Sequence, residues 1–259
     1  MVTVGDVELA VTDTGTGPAL FYGHGLTSSR EQEGASGMFD WRRLAGKHRI
    51  VRWDARGHGE SGGKPEPGPY RWDNLAGDLL ALADSLGIDR FAAGGVSMGA
   101  ATALHAAVRA PDRVTALVLV LAPTAYETRA AQAGLYRAGA DLVETEGVDA
   151  YVRLQRDAPV PEILSEFAEL YHQPPAVAED LLPAVLRGAA ASDLPDPEAV
   201  RGLVVPVLLL AWETDPGHPL STAERLAELL PAAELHVARE LRQLASWTGV
   251  LDTFLDGRG

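Results

Sequence analysis

The sequence contains no cysteine. That excludes disulfides, thiolate zinc sites and a cysteine nucleophile, and it leaves the redox compartment open. Long hydrophobic runs are also missing: none approaches the ~20 residues a membrane helix requires. The first ten residues lack both a basic stretch and an apolar core, and they carry Asp6 and Glu8. No secretory signal is therefore read, and a cytoplasmic location is expected. Positive charge is scarce, with 22 Lys and Arg against 36 Asp and Glu and a net charge of −14. Such a surface repels phosphate backbones and anionic lipid, so neither nucleic acid nor a membrane is expected as a partner. No cofactor and no metal are expected; the oligomeric state is not readable. What remains is 259 residues, 46% hydrophobic and 22% charged, ordinary values for a globular chain able to bury one full core.

Short β-rich runs alternate with helical patterns. Strands are expected at Val7–Thr12, Ala19–Tyr22, Arg49–Trp53, Phe91–Val96, Val114–Leu121, Pro206–Ala211 and Glu234–Ala238. Several are apolar at every position, notably Leu117 to Leu121 and Val207 to Leu210, as central parallel strands covered on both faces must be. Asn74 to Leu86 sets Leu75, Leu79, Leu82 and Leu86 on one helical face, and Ser221-Thr222-Ala223-Glu224 has the form of a capping box opening another helix. The alternation predicts an α/β fold with a doubly wound, mostly parallel sheet. Between Pro123 and about Arg201 the rhythm breaks into helical stretches, Glu127–Ala140, Val148–Gln155 and Pro161–His172, punctuated by prolines. This predicts a helical cap over 123–201 inserted into a core formed by 1–122 and 202–259.

The chemistry gathers around Gly95-Val96-Ser97-Met98-Gly99. Ser97 directly follows an apolar strand and directly precedes the small-residue helix Ala100-Ala101-Thr102-Ala103-Leu104, the strand–turn–helix setting of an activated serine. Such a turn strains the serine backbone, and its two glycines let strand and helix approach closely. At the helix N-terminus the Met98 amide points toward a forming oxyanion. A second donor is expected from the turn after an earlier strand, where Phe21-Tyr22-Gly23-His24-Gly25-Leu26 nominates the Leu26 amide. The plainer alternative is a glycine-rich turn that only joins strand to helix.

The chain resembles the α/β-hydrolase superfamily over essentially its whole length. The resemblance rests on the His24-Gly25 turn, on Asp54-Ala55-Arg56-Gly57-His58-Gly59-Glu60-Ser61, on the serine turn and on the strand leading to Asp215, in that order. It implies that His24, Arg56 and His58 shape loops, and that the catalytic acid is Asp215, with Glu213 as competitor. It also implies a catalytic histidine after the last strand. There the sequence departs from the family: 239–246 holds no histidine, and none follows. His236 falls within the strand, where packing or a local hydrogen bond is its expected role. Removing the histidine from a serine triad costs about 10⁶-fold in turnover, so a substitute base is needed or the activity is different.

The first candidate is His218 in Asp215-Pro216-Gly217-His218-Pro219, where a turn through Pro216-Gly217 returns the ring toward Asp215. His172 in the cap is the next. A carboxylate from Arg30-Glu31-Gln32-Glu33 is a third, with a solvated turn as that segment's plainer reading; His48 and His105 read as surface or packing residues. Tyr126, Tyr136, Tyr151, Phe167 and Tyr171 suggest an apolar substrate pocket, or else the packing of the cap itself. Two functions stay open. One is a serine-dependent hydrolase of a small ester, lactone or related acyl compound, with Ser97, Asp215 and His218 catalytic and Leu26 and Met98 as oxyanion donors. The other is a non-hydrolytic relative that binds a small ligand or acts as a cyclase or lyase.

Overall fold

In the central strands, successive apolar side chains enter opposite layers. Phe21, Val51, Leu117, Leu119 and Leu209 pack into one hydrophobic cluster, while Leu20, Ile50, Val118, Val120, Leu208 and Leu210 pack into another. A strand with no polar side must be covered twice, which is why this sequence builds a three-layer molecule. The computed structural model describes residues 1–158, 160, 163, 172–215 and 217–256.

The strands are β1 (Val2–Val4), β2 (Val7–Leu9), β3 (Val11–Thr14), β4 (Ala19–Gly23), β5 (Arg49–Trp53), β6 (Phe91–Val96), β7 (Val114–Val120), β8 (Val207–Trp212) and β9 (Ala233–Ala238). Seven of them form the main sheet in the order β3-β5-β4-β6-β7-β8-β9. All neighbours are parallel except β3, which runs antiparallel to β5. The α/β reading of a doubly wound, mostly parallel sheet therefore stands. The strand expected over Val7–Thr12 is instead divided. β1 and β2 pair as a small hairpin around the left-handed Gly5, and only the residues from Val11 onward join the main sheet. The division falls at Ala10, whose N–H is taken by the Ser61 hydroxyl.

The helices are α1 (Arg30–Ala35), α2 (Trp41–Leu44), α3 (Trp72–Ser85), α4 (Met98–Arg109), α5 (Arg129–Glu146), α6 (Val148–Arg156), α7 (Leu182–Ala190), α8 (Pro197–Arg201), α9 (Leu220–Leu229), α10 (Leu241–Ala245) and α11 (Trp247–Leu255). Buried side chains of α3, α4 and α9 cover one face of the sheet and those of α2, α10 and α11 the other. At roughly 1.5–3 kcal/mol for each fully buried large aliphatic side chain, these two layers dominate the stabilising side of the balance. Ser221 does not cap α9. The helix begins at Leu220 after Pro219, so Ser221 lies inside its first turn.

The described elements between β7 and β8 are helical. α5, α6 and α7 share a cluster of Ala140, Val143, Tyr151, Leu182 and Leu186. Gly139 allows the Tyr151 ring to approach, since a Cβ there would lie 2.9 Å from it. Helix α7 is not visible in the sequence pattern, where Pro183 suggests a break. Proline instead occupies the helix's first turn, where its missing N–H has no intrahelical acceptor to lose. Leu194 and Val200, near the end of the insertion, join the cluster under the sheet. The helix expected over Pro161–His172 lies almost entirely outside the described residues. No described helix is long and apolar enough to cross a membrane.

Candidate active site

In a parallel sheet the loops leaving the strand ends collect along one edge. Ser97 leaves the end of β6, and Asp215 follows the end of β8, with β7 between them. Two strand spacings separate those ends by about 10 Å, a gap an imidazole can bridge.

Ser97 has φ 53° and ψ −111°, a left-handed backbone that a non-glycine residue adopts only when held. It is held from both sides: its N–H donates to Val120 O at 3.0 Å and its own carbonyl accepts from Ala101 N at 3.0 Å. The glycines at 23, 95 and 99 meet beneath it. A Cβ on Gly99 would lie 2.2 Å from Gly23 O, and one on Gly95 would lie 2.5 Å from the same oxygen. Close backbone approach, rather than flexibility, is what these glycines supply.

An imidazole does reach Ser97, from His218 in the loop after β8. His218 Nε2 lies 2.8 Å from Ser97 Oγ, and His218 Nδ1 lies 2.9 Å from Asp215 Oδ2. The remaining carboxylate oxygen, Oδ1, accepts the Gly217 N–H at 2.8 Å and the His218 N–H at 3.0 Å. One carboxylate thus folds the turn with one oxygen and orients the ring with the other. With Nδ1–H donating to the acid, Nε2 is free to accept the serine proton. Ser97 and Asp215 are each 8% exposed, while the His218 side chain is 26% exposed.

Met98 is the first residue of α4, so its amide has no carbonyl one turn back to bind. Leu26 lies in a turn closed by Ser28 N donating to Gly25 O, with Thr27 at φ 60°. Gly25 faces the serine, since a Cβ there would sit 3.7 Å from Ser97 Cβ.

His172, His105 and Glu33 are committed elsewhere. His172 Nε2 pairs with Ala158 O at 3.1 Å, and His105 Nε2 with Asp193 O at 2.9 Å. His236 is exposed on the edge strand β9, rather than packed. Residues 30–33 are not a solvated turn: they open α1, capped by Ser29, and Glu33 is buried against Arg52 at 2.9 Å. Burial raises the Glu33 carboxyl to about 7 against the opposing pull of Arg52. Glu213 binds Arg239 at the surface.

His24 and His58 are buried loop-shaping residues. His24 donates from Nδ1 to Gly25 O and accepts Ala55 N–H at Nε2, which fixes it as the neutral tautomer. Desolvation lowers it to about 4 and lowers His58 to about 3. Arg56 forms a paired contact with Asp78, with both bonds at 2.8 Å. Among the aromatic residues, Tyr151 and Tyr136 pack with the α5–α7 cluster and Tyr126 donates to Pro195 O. Phe167 and Tyr171 lie outside the described residues.

Among the described residues, His48, Asp252 and Asp256 bring donor atoms within 4.8 Å of one another. Lys47 Nζ already lies 3.0 Å from each of those carboxylates and Arg43 3.3 Å from Asp252, so ammonium and guanidinium meet their charge.

Residues 18–174 match the family model described as alpha/beta hydrolase fold. The 2-(acetamidomethylene)succinate hydrolase of Mesorhizobium japonicum is 29% identical over 82% of this chain and 77% of its own length. The 3-oxoadipate enol-lactonase 2 of Acinetobacter baylyi is 29% identical over 74% of this chain and 70% of its own. A thermophilic esterase from Thermogutta terrifontis superposes with a TM-score of 0.83 at 24% identity, covering 98% of this chain and 97% of that one. The sheet order, the strained serine after β6 and the match over more than half the sequence lead to one assignment: this chain belongs to the α/β-hydrolase fold family, and its matched relatives are hydrolases of small compounds.

Proposed function

We propose that the protein is a serine hydrolase of a small ester, lactone or related acyl compound, working through an acyl-enzyme with a base drawn from the acid's own loop. The observation that carries this is the chain of bonds from Ser97 Oγ to His218 Nε2 at 2.8 Å and from His218 Nδ1 to Asp215 at 2.9 Å. Ser97 Oγ attacks the acyl carbon while His218 takes its proton, and the imidazolium is stabilised by Asp215. The charge developing on the carbonyl oxygen is met by the amides of Leu26 and Met98. His218 returns the proton to the leaving group, then activates the water that releases the acid. The esterase and the lactonase among the relatives support an acyl carbon as the reacting centre.

The test is covalent labelling by a fluorophosphonate combined with turnover of p-nitrophenyl esters. Stoichiometric labelling that maps to Ser97, and loss of both labelling and turnover in Ser97→Ala, are expected. An unlabelled wild-type protein that nonetheless gains thermal stability from small ligands would favour a non-hydrolytic binding role instead.

A further inference from the structure

The turn that carries Leu26 does not hold itself. Thr27 is β-branched yet sits at φ 60°, a conformation such residues avoid unless their surroundings impose it. The imposing contacts come from a segment far along the chain. Thr27 O accepts the N–H of Ala176 at 2.7 Å, and Ala176 O in turn accepts the N–H of Gly59 at 2.7 Å. Val177 makes a β-bridge with His58. On the other side, Gln32 Nε2 donates to Pro174 O at 2.9 Å, and Arg30 N donates to Asp54 Oδ1 at 2.7 Å. Asp54 also receives Glu60 N–H at 2.9 Å and leaves room for no residue but glycine at 59, where a Cβ would lie 2.2 Å from its carboxylate. The Asp54–Ser61 motif is therefore the fixed post, and Pro174-Pro175-Ala176-Val177 is laid between that post and the turn. The Leu26 side chain is gripped separately, against Tyr70 and Val185 and against the α5–α7 cluster.

We propose that residues 174–177 are a strap that holds the Leu26–Thr27 turn in its strained form, which makes Thr27, Gln32 and Ala176 positioning residues for the amide that meets the oxyanion. The inference rests on the serine-hydrolase reading above. It implies that the stretch between β7 and β8 helps build the reaction centre, because the strap reaches the turn from between α6 and α7. Thr27 makes the turn conditional: released from Ala176, a threonine leaves the left-handed region, whereas a glycine need not.

The experiment is a double-mutant cycle on kcat and KM for a p-nitrophenyl ester, using Ala176→Pro, which deletes the N–H that Thr27 O accepts, and Thr27→Gly. In the wild-type background Ala176→Pro is expected to lower kcat by about tenfold to a hundredfold, as a small misplacement of a catalytic donor does, with KM within about twofold. In the Thr27→Gly background the same change is expected to cost less than about threefold, because glycine keeps the turn without the strap. Should Ala176→Pro fail to fold, Gln32→Ala carries the same cycle, with an expected fall in kcat of about threefold or more that Thr27→Gly again removes. Equal losses in both backgrounds, an unchanged kcat, or a loss confined to KM overturns the proposal. Fluorophosphonate titration of the wild type separates the two readings. Without Ser97 labelling the serine mechanism fails, whereas labelling with no coupling in the cycle removes the strap alone.

Discussion

Asp215 is used twice, and that double use holds the His218 ring against a carboxylate only three residues before it. Its Oδ1 gathers the amides of Gly217 and His218 while its Oδ2 receives the ring. An asparagine can still accept the two amides, but it turns an N–H toward Nδ1 and so selects the wrong tautomer. Asp215→Asn is expected to lower kcat by about 10⁴-fold, as in other triads, with thermal stability changed by less than about 1 kcal/mol. Steady-state ester hydrolysis and a melting curve check both halves, and a tenfold effect or smaller would deny Asp215 its orienting role. Ser97 is singled out in the sequence by its glycine spacing and strand–turn–helix setting, while Asp215 and the short list of substitute bases are nominated through the family resemblance. His218 ranks first among those bases in the sequence, but the hydrogen bonds that the Gly217 and His218 amides donate to Asp215 Oδ1, which hold it there, are visible only in the structure. Thr27 is equally hidden: nothing in its identity signals a left-handed backbone, which is imposed by Ala176 from 149 positions away, the difference of their residue numbers.

Elements meet here by backbone rather than side chain at one decisive place. The start of α4 lies against the end of β4, and a methyl at Gly99 would stand 2.2 Å from a carbonyl oxygen that cannot rotate away. Overpacking usually costs about 1–3 kcal/mol, and Gly99→Ala is expected at or above the top of that range. A methyl on Gly134 in α5 would instead meet nothing within 4 Å, so Gly134→Ala is expected to stabilise by about 0.5–1 kcal/mol through helix propensity. Urea unfolding of both variants tests the contrast; similar midpoints would mean that the close approach is not what Gly99 provides. The central strands β6, β7 and β8 are legible because burial on both faces leaves them almost wholly apolar. The hairpin at the N-terminus and helix α7 are not. The first runs into β3 without a polar break, and the second begins with a proline whose position in the helix the sequence alone does not reveal.

At the scale of the whole molecule, His24, His58 and Glu33 couple stability to pH. In the unfolded chain His24 and His58 bind protons near 6.5, whereas burial holds them to about 4 and about 3 in the folded protein. The unfolded state therefore takes up more protons as pH falls below 6.5, and stability is lost in that direction. Glu33 acts with the opposite sign: its carboxyl rises from 4.5 to about 7 on folding, so the folded state holds the extra proton and stability declines as pH rises through that interval. Glu33→Gln removes only this second effect. Its stability relative to wild type is expected to improve between about pH 5 and about pH 8 in urea titrations, and a pH-independent difference would refute the assignment. Whether His218 serves Ser97 as base, in place of a histidine after β9, is decided by the second-order rate of Ser97 modification by a fluorophosphonate in wild type and His218→Ala. A fall of at least about 10³-fold at neutral pH is expected, in line with the loss of a triad histidine. A folded His218→Ala protein whose Ser97 still reacts within about tenfold of the wild-type rate would show that the base lies elsewhere.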